Sequence, residues 1–273
     1  DFEVRRDNLG LHFIITLPLE RYTAGVIAAE IGEDWAMEAL KAQAVISRTY
    51  ALYQKIHAGR EDYHITSSIL HQVYRGDTDD DRIQRAVVET GGEVLTFKGE
   101  LIKSFYHATC TGNTELPGEV WGESYPYLQS VPCRGENAPY EQWQRKFQRS
   151  EIEKALGLKG IRDMYISSYT ATGRVDQLTV VTGAAVEEVK AVALRRLLGY
   201  KALPSTDFSI NSENGEVIFA GGGYGHGVGL SQWGSLALAH EGKTYREILS
   251  HYYPGTVLIN SKETQYQVVQ SRQ

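Results

Sequence analysis

The amino-acid sequence predicts an α+β fold with two lobes, and two kinds of segment carry this prediction. An alanine-rich stretch over 35–56 has high helix propensity. The blocks SSYTATGRVDQLTVVTG and GEVIFAG alternate apolar and polar residues, as strands in hairpins do. Because 273 residues exceed the usual size of a single domain, we expect a two-lobed domain over 1–260, with a substrate cleft between the lobes and a tail over 261–273.

The first elements follow from local signals. An apolar run over 11–17 predicts a strand that Pro18 closes. The segment 20–31 predicts a helix, and Gly32 fits its C-terminal cap.

The elements that follow are predicted in the same way. Asp34 is expected to cap the N-terminus of the alanine-rich helix. β-Branched and aromatic residues with glycine punctuation predict strands within 68–76 and 93–106. Further helices are predicted over 140–158, over VEEVKAVALRRLLG, over LSQWGSLALAH and after the capping-box pair Thr244 and Glu247.

Composition excludes two classes of partner. The 28 basic and 34 acidic residues are mixed along the chain, so no basic patch for a nucleic acid is expected. No apolar run reaches the roughly 18 residues of a membrane span. The chain does not begin with Met, and we expect an export signal or anchor upstream. A balance of 17 Tyr and 4 Trp against 7 Phe favours polar-edged rings, as carbohydrate sites do.

Glu30 is the first candidate for chemistry. It falls at the end of the first predicted helix, where the negative end of the helix dipole disfavours a carboxylate. Apolar neighbours over 27–31 add desolvation, so a raised pKa is expected, suited to an acid that protonates a glycosidic oxygen. The alternative is a solvated surface glutamate.

Lys41 and Arg48 are the second candidates. Seven residues apart in one helix, they return to nearly the same face with a rise of roughly 10 Å. Facing a cleft, they would hold acetamido, lactyl or peptide carboxylate groups of cell-wall sugars. Facing water, they are ordinary helix charges.

His107, Cys110 and Cys133 are candidate zinc ligands, since imidazole and thiolate are the ligands zinc prefers. A disulfide between the two cysteines is the competing interpretation for an exported protein.

The segment GGGYGHGVGLSQWG has the most unusual composition. Glycine at this density allows close backbone approach or positive φ. The segment lacks the features of a P-loop, a dinucleotide fingerprint and a serine-hydrolase elbow, so a capping role is expected for Ser231. His226, Gln232 and Trp233 would supply a hydrogen-bond donor, an amide and a stacking ring. The alternative is a structural turn followed by a buried Trp.

Taken in order, several strings resemble the sporulation stage II protein D family, which includes amidase enhancers. They are LPLERYTAGVIAAEIGEDWAMEALKAQAVISRTYAL, HQVYRG, TGGEVLTFKGELIKSFYHATCTGNTE, VWGESYPYL, GRVDQLTV, RRLLGYKALPSTDFSI and GGGYGHGVGLSQWG. The resemblance covers roughly residues 13–255.

The resemblance implies a lytic transglycosylase, a lyase that cleaves the MurNAc–GlcNAc β-1,4 bond of peptidoglycan and leaves a 1,6-anhydro end. It implies Glu30 as the catalytic acid and base. No cofactor is then required for the chemistry, although some members hold zinc and a structural zinc at the cysteines stays open. The substrate contacts that it implies are Lys41, Arg48, Gln72, Tyr74, His107, Arg174, His226 and Gln232.

Two other functions compete with this expectation. A non-catalytic amidase enhancer would bind cell wall without cleaving it, and an ordinary hydrolase would leave reducing ends. The expected partners are glycan strands and a cell-wall amidase, and the expected location is outside the cytoplasm.

Overall fold

A computed structural model describes residues 2–7, 10–32, 34–58, 63–68, 71–133, 138–213 and 215–261. The tail expected over 261–273 lies outside the described residues, except for Ser261.

The described chain contains both helices and strands, and the strands form small sheets, which confirms the predicted α+β class. The helices are α1 Leu19–Glu30, α2 Met37–His57, α3 Asp81–Glu89, α4 Pro117–Trp121, α5 Arg149–Leu156, α6 Ala191–Leu198, α7 Gln232–His240 and α8 Tyr245–Tyr252. The strands are β1 Phe2–Asp7, β2 Gly10–Ile15, β3 Glu93–Phe97, β4 Glu100–Leu101, β5 Tyr106–His107, β6 Gly112–Asn113, β7 Pro132–Cys133, β8 Trp143–Gln148, β9 Ile161–Tyr169, β10 Val175–Thr182, β11 Val186–Lys190, β12 Phe208–Glu213, β13 Glu216–Gly221, β14 Leu230–Ser231 and β15 Val257–Asn260.

The chain forms two compact units. Unit 1 contains the described residues of 1–105, 238–250 and 255–273, and unit 2 contains those of 106–237 and 251–254. None of the described helices is both long enough and apolar enough to cross a lipid bilayer.

Unit 1 is built around α2, whose buried face packs against α1 and α3. Small side chains let the helices approach closely, and the shared core comprises Ala24, Ile27, Leu40, Ala44, Ile83, Ala86 and Val87. The antiparallel sheet β15–β3–β4 also belongs to this unit, and β1 pairs with β2 in a separate hairpin. The buried hydroxyl of Thr49 on α2 accepts the backbone N–H of Leu95 on β3 at 3.0 Å, which ties the helix to the sheet.

Unit 2 contains two antiparallel three-stranded sheets, ordered β11–β10–β9 and β12–β13–β8. Their apolar residues form one core with α5 and α6, centred on side chains such as Leu178, Leu194 and Phe219. Two short pairs complete the unit, a parallel one between β14 and β5 and an antiparallel one between β6 and β7.

Two local predictions are confirmed by backbone geometry. Gly32 has φ +78° and donates its N–H to Ile27 at 3.3 Å, so it does end α1. Thr244 and Glu247 form the expected capping box, in which the N–H of Thr244 donates to Oε2 of Glu247 at 2.9 Å and the N–H of Glu247 donates to Oγ1 of Thr244 at 3.3 Å.

Two element predictions are wrong, and a third is right only in its second half. Ala36 takes the N-cap position of α2 in place of Asp34. The described part of 68–76 contains only an isolated bridge from Gln72 to Ser67 in place of a strand. The segment predicted as a helix over 140–158 is helical only from Arg149 to Leu156. It contains strand β8 before this helix, because Trp143, Arg145 and Phe147 alternate inward at the period of a strand.

A fourth prediction is right only in its second half. The VEEVK part of VEEVKAVALRRLLG is strand β11, which pairs with β10, and the helix α6 begins after it at Ala191.

Candidate functional site

Glu30 is the last residue of α1 and is partly buried. Its Oε1 accepts a hydrogen bond from the backbone N–H of Val73 at 2.9 Å. The bond joins the helix end to the loop over 71–77 and orients the carboxylate.

Gly25 allows this loop to approach α1. A Cβ atom at this position would lie 2.3 Å from the ring of Tyr74 and 2.4 Å from the carbonyl oxygen of Gly76. Real Cβ atoms do not come so close, so only glycine fits here. The absence of a side chain at Gly25 therefore brings Val73 within reach of Glu30.

Gln72 is completely buried and holds the loop against two helices. Its Oε1 accepts from the hydroxyl of Tyr22 on α1 at 3.1 Å, and its Nε2 donates to the carbonyl of Ser47 on α2 at 3.3 Å. Burial, followed by the nearby Tyr50 and Glu30, raises the pKa of Tyr22 well above its usual value. Tyr22 therefore stays protonated and remains a donor to Gln72.

Tyr74 lies on the same side of the loop. Its ring stacks on Tyr22 with centroids 5.6 Å apart, and its hydroxyl donates to Asp77 at 3.0 Å. Asp77 also accepts from Nε of Arg21 at 2.8 Å. Of the two loop residues expected to contact substrate, Tyr74 keeps part of its surface and Gln72 keeps none.

Arg48 has no exposed side-chain surface. Its Nη2 lies 2.7 Å from Oε2 of Glu20, and its Nη1 donates to the carbonyl of Glu93 at 3.0 Å. In this structure the guanidinium is therefore not available to a ligand, and it joins α2 to α1 and β3. The sequence analysis predicted that Arg48 contacts substrate, and it did not predict the contacts with Glu20 and Glu93.

Lys41 lies between two carboxylates. Its Nζ is 3.1 Å from Glu38 and 2.7 Å from Glu89, and its side chain is 15% exposed. The hydrogen bond to Glu89 makes the largest contribution to a raised pKa of Lys41. Only this small exposed part of the Lys41 side chain is open to a ligand.

Unit 2 brings His107 and His226 together. His107 lies on β5, which pairs in parallel with β14 directly after the glycine-rich segment. Its Nδ1 donates to the carbonyl of Val228 at 3.2 Å, while the N–H of Val228 donates to Nδ1 of His226 at 3.0 Å. The ring centroids are 5.8 Å apart.

Both histidines are neutral near pH 7. Burial, then the charges of Arg195 and Arg174, lowers the pKa of His226 to about 3. Burial lowers the pKa of His107 in the same direction. Neither ring therefore brings a positive charge to unit 2.

Two glycines of the segment 221–229 pack against side chains of this site. A Cβ at Gly225 would lie 2.7 Å from Cβ of His107, and one at Gly227 would lie 2.9 Å from the guanidinium of Arg174. Both glycines have positive φ, as the sequence analysis expected for this segment. The close backbone approach is thus made to the protein's own His107 and Arg174.

Arg174 and Gln232 have buried donors. Arg174 is 3% exposed, and neither its Nε nor its Nη2 has a hydrogen-bond partner within the described residues. Gln232, at the start of α7, is 5% exposed, and its Nε2 has no partner there either. Ser231 caps α7, as expected, by accepting the N–H of Gly234 at 3.1 Å.

Cys110 and Cys133 form a disulfide with Cα atoms 6.0 Å apart, and both are buried. The potential ligand atoms of these cysteines and His107 lie within 4.8 Å of one another, so the donor set fits three of the four zinc ligands. Thiolates that hold zinc cannot be joined to each other, and the disulfide occupies both sulfur atoms.

The sequence analysis did not identify three residues that contact the candidate site residues. Tyr22 positions Gln72, the exposed ring of Trp121 lies edge-on to His226 at 4.9 Å, and the carboxylate of Glu115 is buried near Arg174. For Trp121, the signal was its place in the VWGESYPYL string. For Glu115 and Tyr22, no local pattern points to their partners.

Comparison with known proteins supplies the wider context. Residues 7–97 match the family model described as stage II sporulation protein, and residues 134–229 match a domain of unknown function (DUF8618). An uncharacterized protein of Brachyspira hyodysenteriae is 32% identical over 89% of this chain and 67% of its own length.

Two relatives from Bacillus subtilis have functional names. The stage II sporulation protein D is 30% identical over 88% of this chain and 74% of its own length. The amidase enhancer is 26% identical over 86% of this chain and 40% of its own length. On these similarities, the chain belongs to the stage II sporulation protein D family.

Proposed function

We propose that this protein is a lytic transglycosylase that cleaves the MurNAc–GlcNAc β-1,4 bond of peptidoglycan glycan strands, with Glu30 as acid and base. The observation that carries the proposal is the placement of Glu30, a partly buried carboxylate whose Oε1 is held 2.9 Å from the N–H of Val73. A carboxyl group with a defined orientation is what proton transfer to a glycosidic oxygen requires.

One carboxyl group suffices for this chemistry. The protonated carboxyl of Glu30 donates to the glycosidic oxygen as the bond from C1 of MurNAc breaks. The C6 hydroxyl of the same sugar then forms a bond to C1, and its proton returns to Glu30. The products are a shortened strand and a 1,6-anhydroMurNAc end, and no water is consumed. Most glycosidases, in contrast, need two carboxylates.

Location and partners follow from the substrate. Peptidoglycan lies outside the cytoplasm, so we infer that the protein works there, and the disulfide Cys110–Cys133 suits an oxidising compartment. One relative is named an amidase enhancer, which supports a cell-wall amidase as a partner.

Mass spectrometry of the products tests the proposal. Purified protein is incubated with glycan strands, and the masses of the products are measured. Ends lighter by one water than the hydrolysed form identify transglycosylation. Reducing ends would instead show a hydrolase, and intact strands in the presence of bound protein would show a non-catalytic enhancer.

A further inference from the structure

Arg174 carries a buried charge, and two of its guanidinium nitrogens lack hydrogen-bond acceptors within the described residues. Its side chain is 3% exposed, and Nε and Nη2 are both unpartnered there. Burying an ion without hydrogen-bonded compensation is costly, so such a group is rare outside functional sites. A second buried guanidinium, that of Arg195, lies close enough to interact electrostatically with it.

The carboxylates near Arg174 accept hydrogen bonds from groups other than its guanidinium. Glu115 and Asp207 act on Arg174 through their charges. However, Oε1 of Glu115 accepts the N–H of Leu116 at 2.7 Å, and Oε2 accepts the hydroxyls of Thr170 and Thr172. Asp207 accepts from the hydroxyl of Thr111. Neither carboxylate makes a hydrogen bond to the guanidinium.

The surrounding backbone holds Arg174 in place. Through Thr170 and Thr172, Glu115 clamps the turn between β9 and β10, and Arg174 is the residue that ends this turn. The N–H of Glu115 donates to the carbonyl of Gly227 at 2.8 Å. Since Gly227 packs directly on the guanidinium, the turn and the glycine segment together fix its position. This is a preorganised donor group.

Two rings connect this donor group with the surface. The charge of Arg174 contributes to the lowered pKa of the partly buried His226. The ring of Trp121 packs edge-on against His226, with ring centroids 4.9 Å apart. Trp121 is 41% exposed, and an exposed indole offers an apolar face on which a sugar ring can stack. An aromatic face beside a buried cation suits a sugar that carries an anionic group.

We propose that Arg174 anchors a carboxylate of the glycan ligand, and that unit 2 thereby selects muramic acid, which has a lactyl carboxylate, over N-acetylglucosamine, which has none. Glu115 and Asp207 act on the charge of Arg174, but Nε and Nη2, the two donors on one edge of its guanidinium, still lack acceptors within the described residues, and a carboxylate accepts from such an edge with both oxygens. The inference rests on the proposed function for its ligand class and adds the group that is recognised.

Binding of small sugars tests it. N-Acetylmuramic acid and N-acetylglucosamine differ only in the lactyl ether, so their dissociation constants for the natural protein, measured by titration NMR, isolate the carboxylate. We expect a preference of at least about tenfold for N-acetylmuramic acid, the range of a charge-assisted hydrogen bond. The methyl ester of N-acetylmuramic acid should lose this preference.

Variants locate the effect. Arg174→Gln should remove the preference, whereas Arg196→Gln, which removes an exposed arginine from α6 of the same unit, should keep it. If Arg174→Gln does not fold, the ester comparison still decides, because it uses only the natural protein. Equal affinity for the two sugars, or an ester that binds as tightly as the acid, would overturn the proposal.

A third ligand distinguishes the lactyl carboxylate of muramic acid from the carboxylate at the end of a peptide. N-Acetyl-D-alanine represents the carboxyl end of a peptide, and we expect it to bind more weakly than N-acetylmuramic acid. Tighter binding of the peptide would overturn the assignment to muramic acid. Cleavage of glycan strands without a sugar preference would refute this inference alone, and a preference without cleavage would refute the proposed function alone.

Discussion

The carboxylate of Glu30 is held by the backbone N–H of Val73 at 2.9 Å, although 43 residues separate the two. We expect Glu30→Gln to reduce glycan cleavage by at least about 100-fold, because an amide cannot donate and recover a proton. The fold should remain intact, since Gln keeps an oxygen for the N–H of Val73. Product formation, followed by mass spectrometry, measures the effect.

Glu100→Gln is the matched control, because it removes an exposed carboxylate from β4 in the same unit. Its cleavage rate should equal that of the natural protein. Turnover by Glu30→Gln at the control rate would remove Glu30 from the mechanism.

Gly25→Ala tests the approach of the loop to α1. The new methyl group would overlap Tyr74 and Gly76, so we expect a loss of about 1–3 kcal/mol in the free energy of unfolding. Cleavage should fall further than this loss explains, because the displaced loop takes Val73 away from Glu30. Urea denaturation and cleavage rates at a temperature where the variant is folded give the two quantities.

Gly118→Ala is its control, since the nearest atom to a Cβ there lies at 3.5 Å, an ordinary contact. This variant should match the natural protein in both measurements. A stable, fully active Gly25→Ala variant would show that the loop can move without consequence.

Arg48→Ala tests the structural assignment of a residue first expected to bind ligand. Removal of this buried partner of Glu20 should lower the free energy of unfolding by about 3 kcal/mol. Arg85→Ala removes an ion pair whose arginine is 68% exposed, so its loss should stay within about 1 kcal/mol. Equal stability of the two variants would contradict a structural role for Arg48.

Acid should weaken the contact between Lys41 and Glu89. Hydrogen bonds from Lys41, and then from Arg85, lower the pKa of Glu89 from 4.5 to about 2. Because the folded-state pKa is depressed, the stabilisation is complete above about pH 4.5 and is lost as the pH falls towards 2. The difference in urea midpoint between the natural protein and Glu89→Gln should therefore shrink between pH 5 and pH 3. A Lys41→Met background should flatten this change, and an unchanged difference in both backgrounds would contradict the assignment.

The cysteines give a prediction that does not depend on activity. Protein denatured without reductant should show no reactive thiols and no stoichiometric zinc, because Cys110 and Cys133 are joined. Reduction should cost about 3 kcal/mol of unfolding free energy in the chain-entropy model. Two thiols and one zinc per chain would instead identify the zinc site with His107.

Local signals in the sequence determined much of unit 1. Gly32 ends α1 and Thr244 caps α8, because a cap depends only on residues within one helical turn. The position of Glu30 at a helix end followed in the same way. Where a local signal was ambiguous, the prediction failed, as in β8, whose polar residues suit a helix but alternate against a core.

Tertiary structure alone decided which partners the functional residues meet. The sequence placed Arg48 on the same helix face as Lys41, but its burial against Glu20, 28 residues away, depends on how α1 packs. The link between Glu115 and Thr170, 55 residues apart, joins a loop to a hairpin turn in unit 2. Helix propensity and caps act over a few neighbouring residues, whereas the burial of a charge and the choice of its partner are set by packing among segments that are distant in sequence.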